Sequence, residues 1–275
     1  MTRWTEAPPP PAMPPLTPAG VVRLLLRGGI LGAVTFGGLG VLLVLRLVER
    51  PLFGASRPIT PHVTRFVCRA AFVILGLPLR VRGRPMAGQG AIVANHGSWL
   101  DIFALNACDR VCFVAKSEVR GWAGIGWLAR ATGTIFVNRD SRHEAKAQAA
   151  EIEDRLRAGH RLLFFPEGTS TDGLRVLPFK PTLFAAFFAP KLRETCRVQP
   201  VTVIYRAPPG AEREYYGWWG DMEFGPHLRK VLAAARQGSV EVVFHDPLEV
   251  ERHVDRKHMA RVAEETVREG LPWSG

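Results

Sequence analysis

The stretch AIVANHGSWLDIF, residues 91–103, opens with four small or branched apolar residues and then breaks into a polar turn that carries His96 and Asp101. A short apolar run bounded by turn residues is the pattern of a strand buried on both faces. On a regular helix, residues five apart lie about 140° around the axis, so a helix would hold His96 and Asp101 apart. A strand-to-helix turn brings them together. It also leaves His96 at the C-terminal edge of a sheet, the side on which α/β folds bind ligands.

The same texture continues in both directions. Candidate strands are 79–82, 91–94, 111–114, 134–137, 161–165, 198–204 and 240–244, with amphipathic helices between them. One helix begins at Ser141 with Glu144 three residues on, a capping-box pattern, and Ala145, Ala149, Ile152 and Leu156 form its apolar stripe. Others are expected at 227–236 and 255–269. Strand and helix alternating in this way predict an α/β layer fold.

Upstream the composition changes. Residues 1–19 are polar and proline-rich and are expected to form a disordered or extended arm. From Gly28 to Leu45 the chain runs 18 residues without a charge, enough helix to span roughly 27 Å, the lower limit for crossing a bilayer. Either the segment spans, or it enters one leaflet as half of a helical hairpin whose other half is 66–79, a run that carries Arg69. Arg23, Arg27, Arg46, Arg50, Arg57 and Arg65 flank these segments on both sides. That symmetry favours a re-entrant hairpin with snorkelling arginines. A buried helix of a soluble domain is the competing reading. Three regions follow: the arm 1–19, a membrane-associated helical segment 20–78, and an α/β domain 79–275.

The formal net charge of +11 calls for anionic partners, and an anionic membrane surface suits it. No nucleic-acid-binding signature accompanies the charge. Cys68, Cys108, Cys112 and Cys196 form no C-x-x-C pair and have no matching histidines, so buried inert thiols in a reducing compartment are expected, and no metal site.

Taken alone, a His and an Asp at this spacing are weak evidence, since the chain contains eight His and the pattern arises by chance in roughly a quarter of such chains. Two further strand ends strengthen it. RLLFFPEGTSTDG delivers Glu167, Gly168 and Thr169 directly after a hydrophobic strand, and GTIFVNRD places Arg139 just beyond another. Arginine grips phosphates and carboxylates bidentately. A structural turn and a surface ion pair are the plainer readings of these two segments.

NHGSWLD, GTIFVNR, FFPEGTS and VQPVTVIY together resemble, in order and spacing, the four blocks of the PlsC-like glycerolipid acyltransferases, over roughly residues 80–205. The resemblance implies a mixed, largely buried sheet flanked by helices. It implies His96 and Asp101 as the catalytic pair, Arg139 at the acceptor's phosphate, Glu167, Gly168 and Thr169 at the acceptor, and Pro200 in the acyl-donor region. Lys116 matches a further basic position of the acceptor site.

The implied reaction moves an acyl group from acyl-CoA or acyl carrier protein to a lysolipid hydroxyl with no metal or other cofactor. Such donors are cytosolic, so the site should face the cytoplasm from a bacterial inner membrane. Phosphatidate formation from 1-acylglycerol-3-phosphate is the first expectation, because Arg139 suits a phosphate. The aromatic segment YYGWWGDMEFGPHL, 215–228, resembles instead the lyso-ornithine-lipid branch. It sits either at a membrane interface or in the core. A thioesterase and a non-catalytic lipid-binding protein are the rival classes, and Ser98 is a rival nucleophile by proximity. The remaining histidines, including His253 and His258 on the last helix, are expected to be solvated.

Overall fold

The computed structural model describes residues 4, 7–88, 90–138 and 142–273. Two long helices, α1 (Pro18–Phe53) and α2 (Thr60–Leu75), form a hairpin. Thr17 caps α1 by accepting the Gly20 N–H, and Pro18 starts it where a missing N–H costs nothing. Glu49 closes the hairpin turn. Its buried carboxylate accepts from the Ile59 and Thr60 amides, the Thr60 hydroxyl and Arg46.

Both helices differ in extent from their sequence expectation. Arg23 and Arg27 lie inside α1, which its Thr17 cap starts at Pro18, and they donate to the carbonyls of Leu232, Ala233 and Ala234 at a helix end elsewhere in the fold. The second half begins at Thr60 and stops at Leu75, where Gly76 takes up φ 68° and Pro78 follows. Arg69, with Arg65, donates to the Ala107 carbonyl in the last turn of a short helix. At Gly38 a Cβ would lie 2.4 Å from Val67, so a glycine is what lets the two helices meet there. Among the described residues α1 is the one helix long and apolar enough to cross a membrane, and only 11% of its most apolar window is buried.

The α/β part then runs β1 (Leu79–Arg82), β2 (Gly90–Ala94), α3 (Leu100–Cys108), β3 (Val111–Lys116), α4 (Ile125–Thr132), β4 (Ile135–Val137), α5 (Arg142–Arg157) and β5 (Arg161–Phe164). It continues with α6 (Pro190–Arg193), β6 (Arg197–Arg206), α7 (Phe224–Ala233), β7 (Ser239–Phe244), β8 (Leu248–Glu249) and α8 (Arg256–Glu269). The sheet order is β1-β7-β6-β2-β5-β3-β4, with β8 beside β6. β6 pairs antiparallel with β7 and β8, and every other pairing is parallel, so the sheet is mixed.

Side chains alternate across it. Ile92 and Ala94 face one core with residues of α2, α3 and α7, while Ala91 and Val93 face a second with α8 and part of α5. Because β2, β5, β3 and β4 are parallel neighbours, their C-terminal ends share one edge. Lys116 ends β3 at that edge and the loops carrying His96 and Glu167 leave from it, as does the chain after β4, where Arg139, Asp140 and Ser141 lie outside the described residues. The side chains of Glu144 and of Ala145 and Ala149 in the α5 stripe also lie outside them, whereas Leu156 is buried.

Pro200 sits inside the sheet, buried and opposite Val93. Proline is tolerated there because residues 199 and 200 fall between the end of the β8 pairing and the start of the β7 pairing, where the ladder needs no N–H. Gln199 fills that gap, accepting from the Met86 amide and donating to Arg84 and His245 carbonyls. The four cysteines are buried and unpaired, and burial pushes the Cys108 and Cys196 thiols up to about 12.

Candidate active site

Asn95 ends β2 by copying a backbone ladder: its amide donates to the Val203 carbonyl and accepts the Val203 N–H. The chain is thereby fixed one residue before His96. The imidazole Nδ1 lies 2.7 Å from Asp101 Oδ2, and the Gly97 and Ser98 amides donate to the same oxygen at 2.9 and 3.0 Å. Asp101 occupies the first turn of α3, where a negative charge is favoured. It is completely buried, and its other oxygen accepts the Tyr205 hydroxyl at 2.6 Å. With Asp101 a carboxylate, Nδ1 carries the ring proton and Nε2 keeps its lone pair. The ring stacks on Phe165 at 4.0 Å and 9°, with 19% of the side chain open to solvent.

Glu167 does for the His96 backbone what Asp101 does for its ring. One carboxyl oxygen accepts the His96 N–H at 2.7 Å and the other the Leu177 N–H at 2.8 Å. The Thr171 amide donates to the His96 carbonyl, and the Trp218 amide to the Gly97 carbonyl. Gly97 is needed because a Cβ there would lie 2.7 Å from the Gly173 Cα. Only 2% of Glu167 is exposed, and burial pushes its carboxyl up to about 8, against the pull of the Leu177 and His96 amides.

The fold thus joins His96, Asp101 and Glu167 directly, with the Gly168 and Thr169 turn beside them. Gly168 adopts φ 78°, and Thr169 is half-buried. Lys116 ends β3, one strand beyond β5, and is half-buried. Pro200 lies in the neighbouring strand, within the sheet rather than at the open edge.

Ser98 is completely buried, with its hydroxyl turned to the Leu100 amide, which donates to it at 3.4 Å. The expectation of solvated histidines fails in several places. His227 is fully buried against Trp99, whose indole N–H donates to it at 2.9 Å, and burial holds it down to about 3. His160 is held down to about 4 by burial, Arg155 and Arg57. His253 is buried in the turn before α8 rather than on it, and contacts His258. Of the aromatic segment, Tyr216 and Trp219 are core, while Tyr215 and Trp218 are half-buried.

Tyr205 is the residue that sequence reading missed. It lies 104 positions from Asp101 in an apolar strand, where an aromatic reads as core. Burial and then Asp101 push its hydroxyl well above the usual range, so it stays a donor.

The family model for acyltransferases matches residues 79–204. The chain is 59% identical over 273 residues to a lyso-ornithine lipid O-acyltransferase of Rhodobacter capsulatus, covering 98% of each. It is 40% identical to one of Brucella abortus, covering 75% of this chain and 80% of that protein. A 1-acyl-sn-glycerol-3-phosphate acyltransferase of Neisseria gonorrhoeae is 39% identical over 118 residues, 42% of this chain and 46% of that protein. In architecture the chain matches the crystal structure of PlsC, the 1-acyl-sn-glycerophosphate acyltransferase of Thermotoga maritima. The TM-score is 0.66 at 22% identity, over 92% of this chain and 94% of that one. The mixed α/β sheet behind a helical hairpin is the fold that this acyltransferase shares. The chain belongs to the PlsC-like acyltransferase family.

Two predictions test the support of His96. Removing a hydrogen bond to a charged group costs about 1.5–3 kcal/mol, so Tyr205→Phe should lower kcat about tenfold with acceptor KM nearly unchanged. Steady-state kinetics check this, and an unaltered kcat would show that Asp101 needs no help from Tyr205. Because the Glu167 carboxyl is raised to about 8, the folded chain keeps a proton there that the unfolded chain has released above about pH 4.5. This contribution to stability is complete below that point and is lost as pH rises through about 8. Glu167→Gln cannot titrate, so the gap in melting temperature between wild type and variant should change steadily from about pH 5 to about pH 8.5. A gap independent of pH would contradict the assignment.

Proposed function

We propose that the chain is a lyso-ornithine lipid O-acyltransferase in which His96 is the general base. The observation that carries the acceptor is the end-to-end similarity to a protein of that name, 59% identical over 98% of both chains. The sequence alone puts 1-acylglycerol-3-phosphate first, but the Neisseria gonorrhoeae acyltransferase named for that acceptor is similar over 42% of the chain, and PlsC, which matches 92% of it, is 22% identical.

The geometry supports the following chemistry. His96 Nε2 takes the proton from the acceptor hydroxyl as its oxygen attacks the thioester carbonyl. Asp101 holds the ring and stabilises the imidazolium. Collapse of the tetrahedral intermediate breaks the C–S bond, and the departing thiolate takes up the proton held by His96. An ester and a free thiol result, without a covalent enzyme intermediate. Acyl-CoA and acyl carrier protein both satisfy this chemistry as donors.

In this reading Glu167 is a positioning residue, its oxygens already committed to backbone amides. Arg139 and Lys116 meet the acceptor's anionic group, here the ornithine carboxylate, and Thr169 lines the same edge. Pro200 shapes the strand beside β2 that backs the donor. The α1–α2 hairpin enters one leaflet of the bacterial inner membrane, its outward Leu25, Leu26, Val44 and Leu47 in lipid. That places the thioester and His96 on the cytoplasmic side.

Purified protein supplied with a labelled acyl thioester and either lyso-ornithine lipid or 1-acylglycerol-3-phosphate tests the reading. The ornithine acceptor should show kcat/KM at least about tenfold higher, the scale set by matching a polar headgroup. Preference for the glycerophosphate would restore the phosphatidate reading. Free fatty acid as the main product with acceptor present would make the protein a thioesterase.

A further inference from the structure

A cavity of about 340 Å³ lies against the edge strand β4, and none of its lining residues is among His96, Asp101, Lys116 or Glu167. Four arginines from four elements converge on it: Arg57 of the α1–α2 connection, Arg120, Arg130 of α4 and Arg155 of α5. Glu151 is the sole carboxylate among the described lining residues, and it sits 3.9 Å from Arg155. Among the described residues Arg57, Arg120 and Arg130 form no ion pair.

The cluster is built rather than incidental. Arg57 Nη1 donates to the Ala131 carbonyl at 2.7 Å and so caps α4. Its guanidinium lies where a Cβ on residue 133 would stand, 2.8 Å from Cζ, and Gly133 with φ 87° leaves that room. Arg130 donates to the Arg120 carbonyl, which fixes these two side by side. Arg57 Nε is buried without a hydrogen-bond partner. Burial, Arg46 and Arg155 all pull Arg57 below its ordinary range, and Arg155 and Arg57 add to the effect of burial on nearby His160. Like charges gathered at this density, with Glu151 in the lining and Glu49 acting on Arg57 to offset them, are relieved by an anion.

The chain neighbours of these arginines point to the source of that anion. Leu52, Phe53 and Ile59, on either side of Arg57 in the chain, are exposed. Trp127, three residues before Arg130 and so on the same face of α4, is 61% exposed. Exposed aliphatics and an indole beside arginines match a membrane–water interface. We infer that the Arg57–Arg120–Arg130–Arg155 cavity binds the phosphate of an anionic phospholipid headgroup where the hairpin meets the bilayer surface. The inference rests on the proposed membrane attachment of that hairpin.

The test uses the full chain in detergent, titrated separately with dioctanoyl phosphatidylglycerol, dioctanoyl phosphatidylcholine and inorganic phosphate while its melting temperature is followed. Phosphatidylglycerol alone should raise the melting temperature at low concentration. The Arg120→Gln/Arg130→Gln variant should need at least about tenfold more of it, while acyl transfer to a lysolipid in detergent continues. Arg120→Lys/Arg130→Lys, which keeps the charge but not the fork, should fall between the two. An unchanged response in the glutamine variant would overturn the site, and an equal response to inorganic phosphate would overturn its assignment to a lipid. Flotation on neutral phosphatidylcholine vesicles separates the underlying reading. Wild type and variant should float alike, and failure of the wild type to float would overturn hairpin attachment and this inference with it.

Discussion

The structure around the site depends on one buried carboxylate. Asp101 gathers the His96 ring, two turn amides and the Tyr205 hydroxyl, and so ties β2, α3 and β6 together at one point. A buried ion is stable only when its acceptor capacity is filled, and here each oxygen has donors. The same bonds leave one imidazole nitrogen committed and the other available. Fold and chemistry therefore share a single set of contacts.

Around this centre, distance from the reaction follows the sheet order. Glu167 arrives from β5, the immediate neighbour of β2, and its two oxygens link the His96 backbone to the chain beyond the Pro-Glu-Gly-Thr turn. The hairpin reaches the domain through Arg23 and Arg27 on α7 and through Arg65 and Arg69 on α3, four arginines that satisfy helix-end carbonyls. The apolar hairpin is thus tied to the helix that carries Asp101.

Much of this could be read in the sequence because strands buried on both faces announce themselves as short apolar runs. The strand over 79–82 was placed to the residue, and the starts of those at 111 and 161 likewise. Two-residue β8 carries too little pattern to see, and α3 is apolar almost all round, so no helical period marks it. The ends of α1 and α2 were misjudged because the partners of Arg23, Arg27 and Arg69 lie far along the chain. Tyr205 and buried His227 were missed for the same reason: a hydroxyl or ring nitrogen finds its partner only in the folded chain. The motif residues showed which strand ends matter, but not that Glu167 faces backbone while His96 faces solvent.

The central claim is that His96 removes the proton from the acceptor hydroxyl. Its most direct test is the rate of acyl transfer to lyso-ornithine lipid by His96→Ala, at saturating donor and acceptor, with folding verified by an unchanged circular dichroism spectrum. A positioned general base contributes on the order of a hundredfold or more, so the rate should fall by at least about two orders of magnitude. Transfer at the wild-type rate would contradict the account.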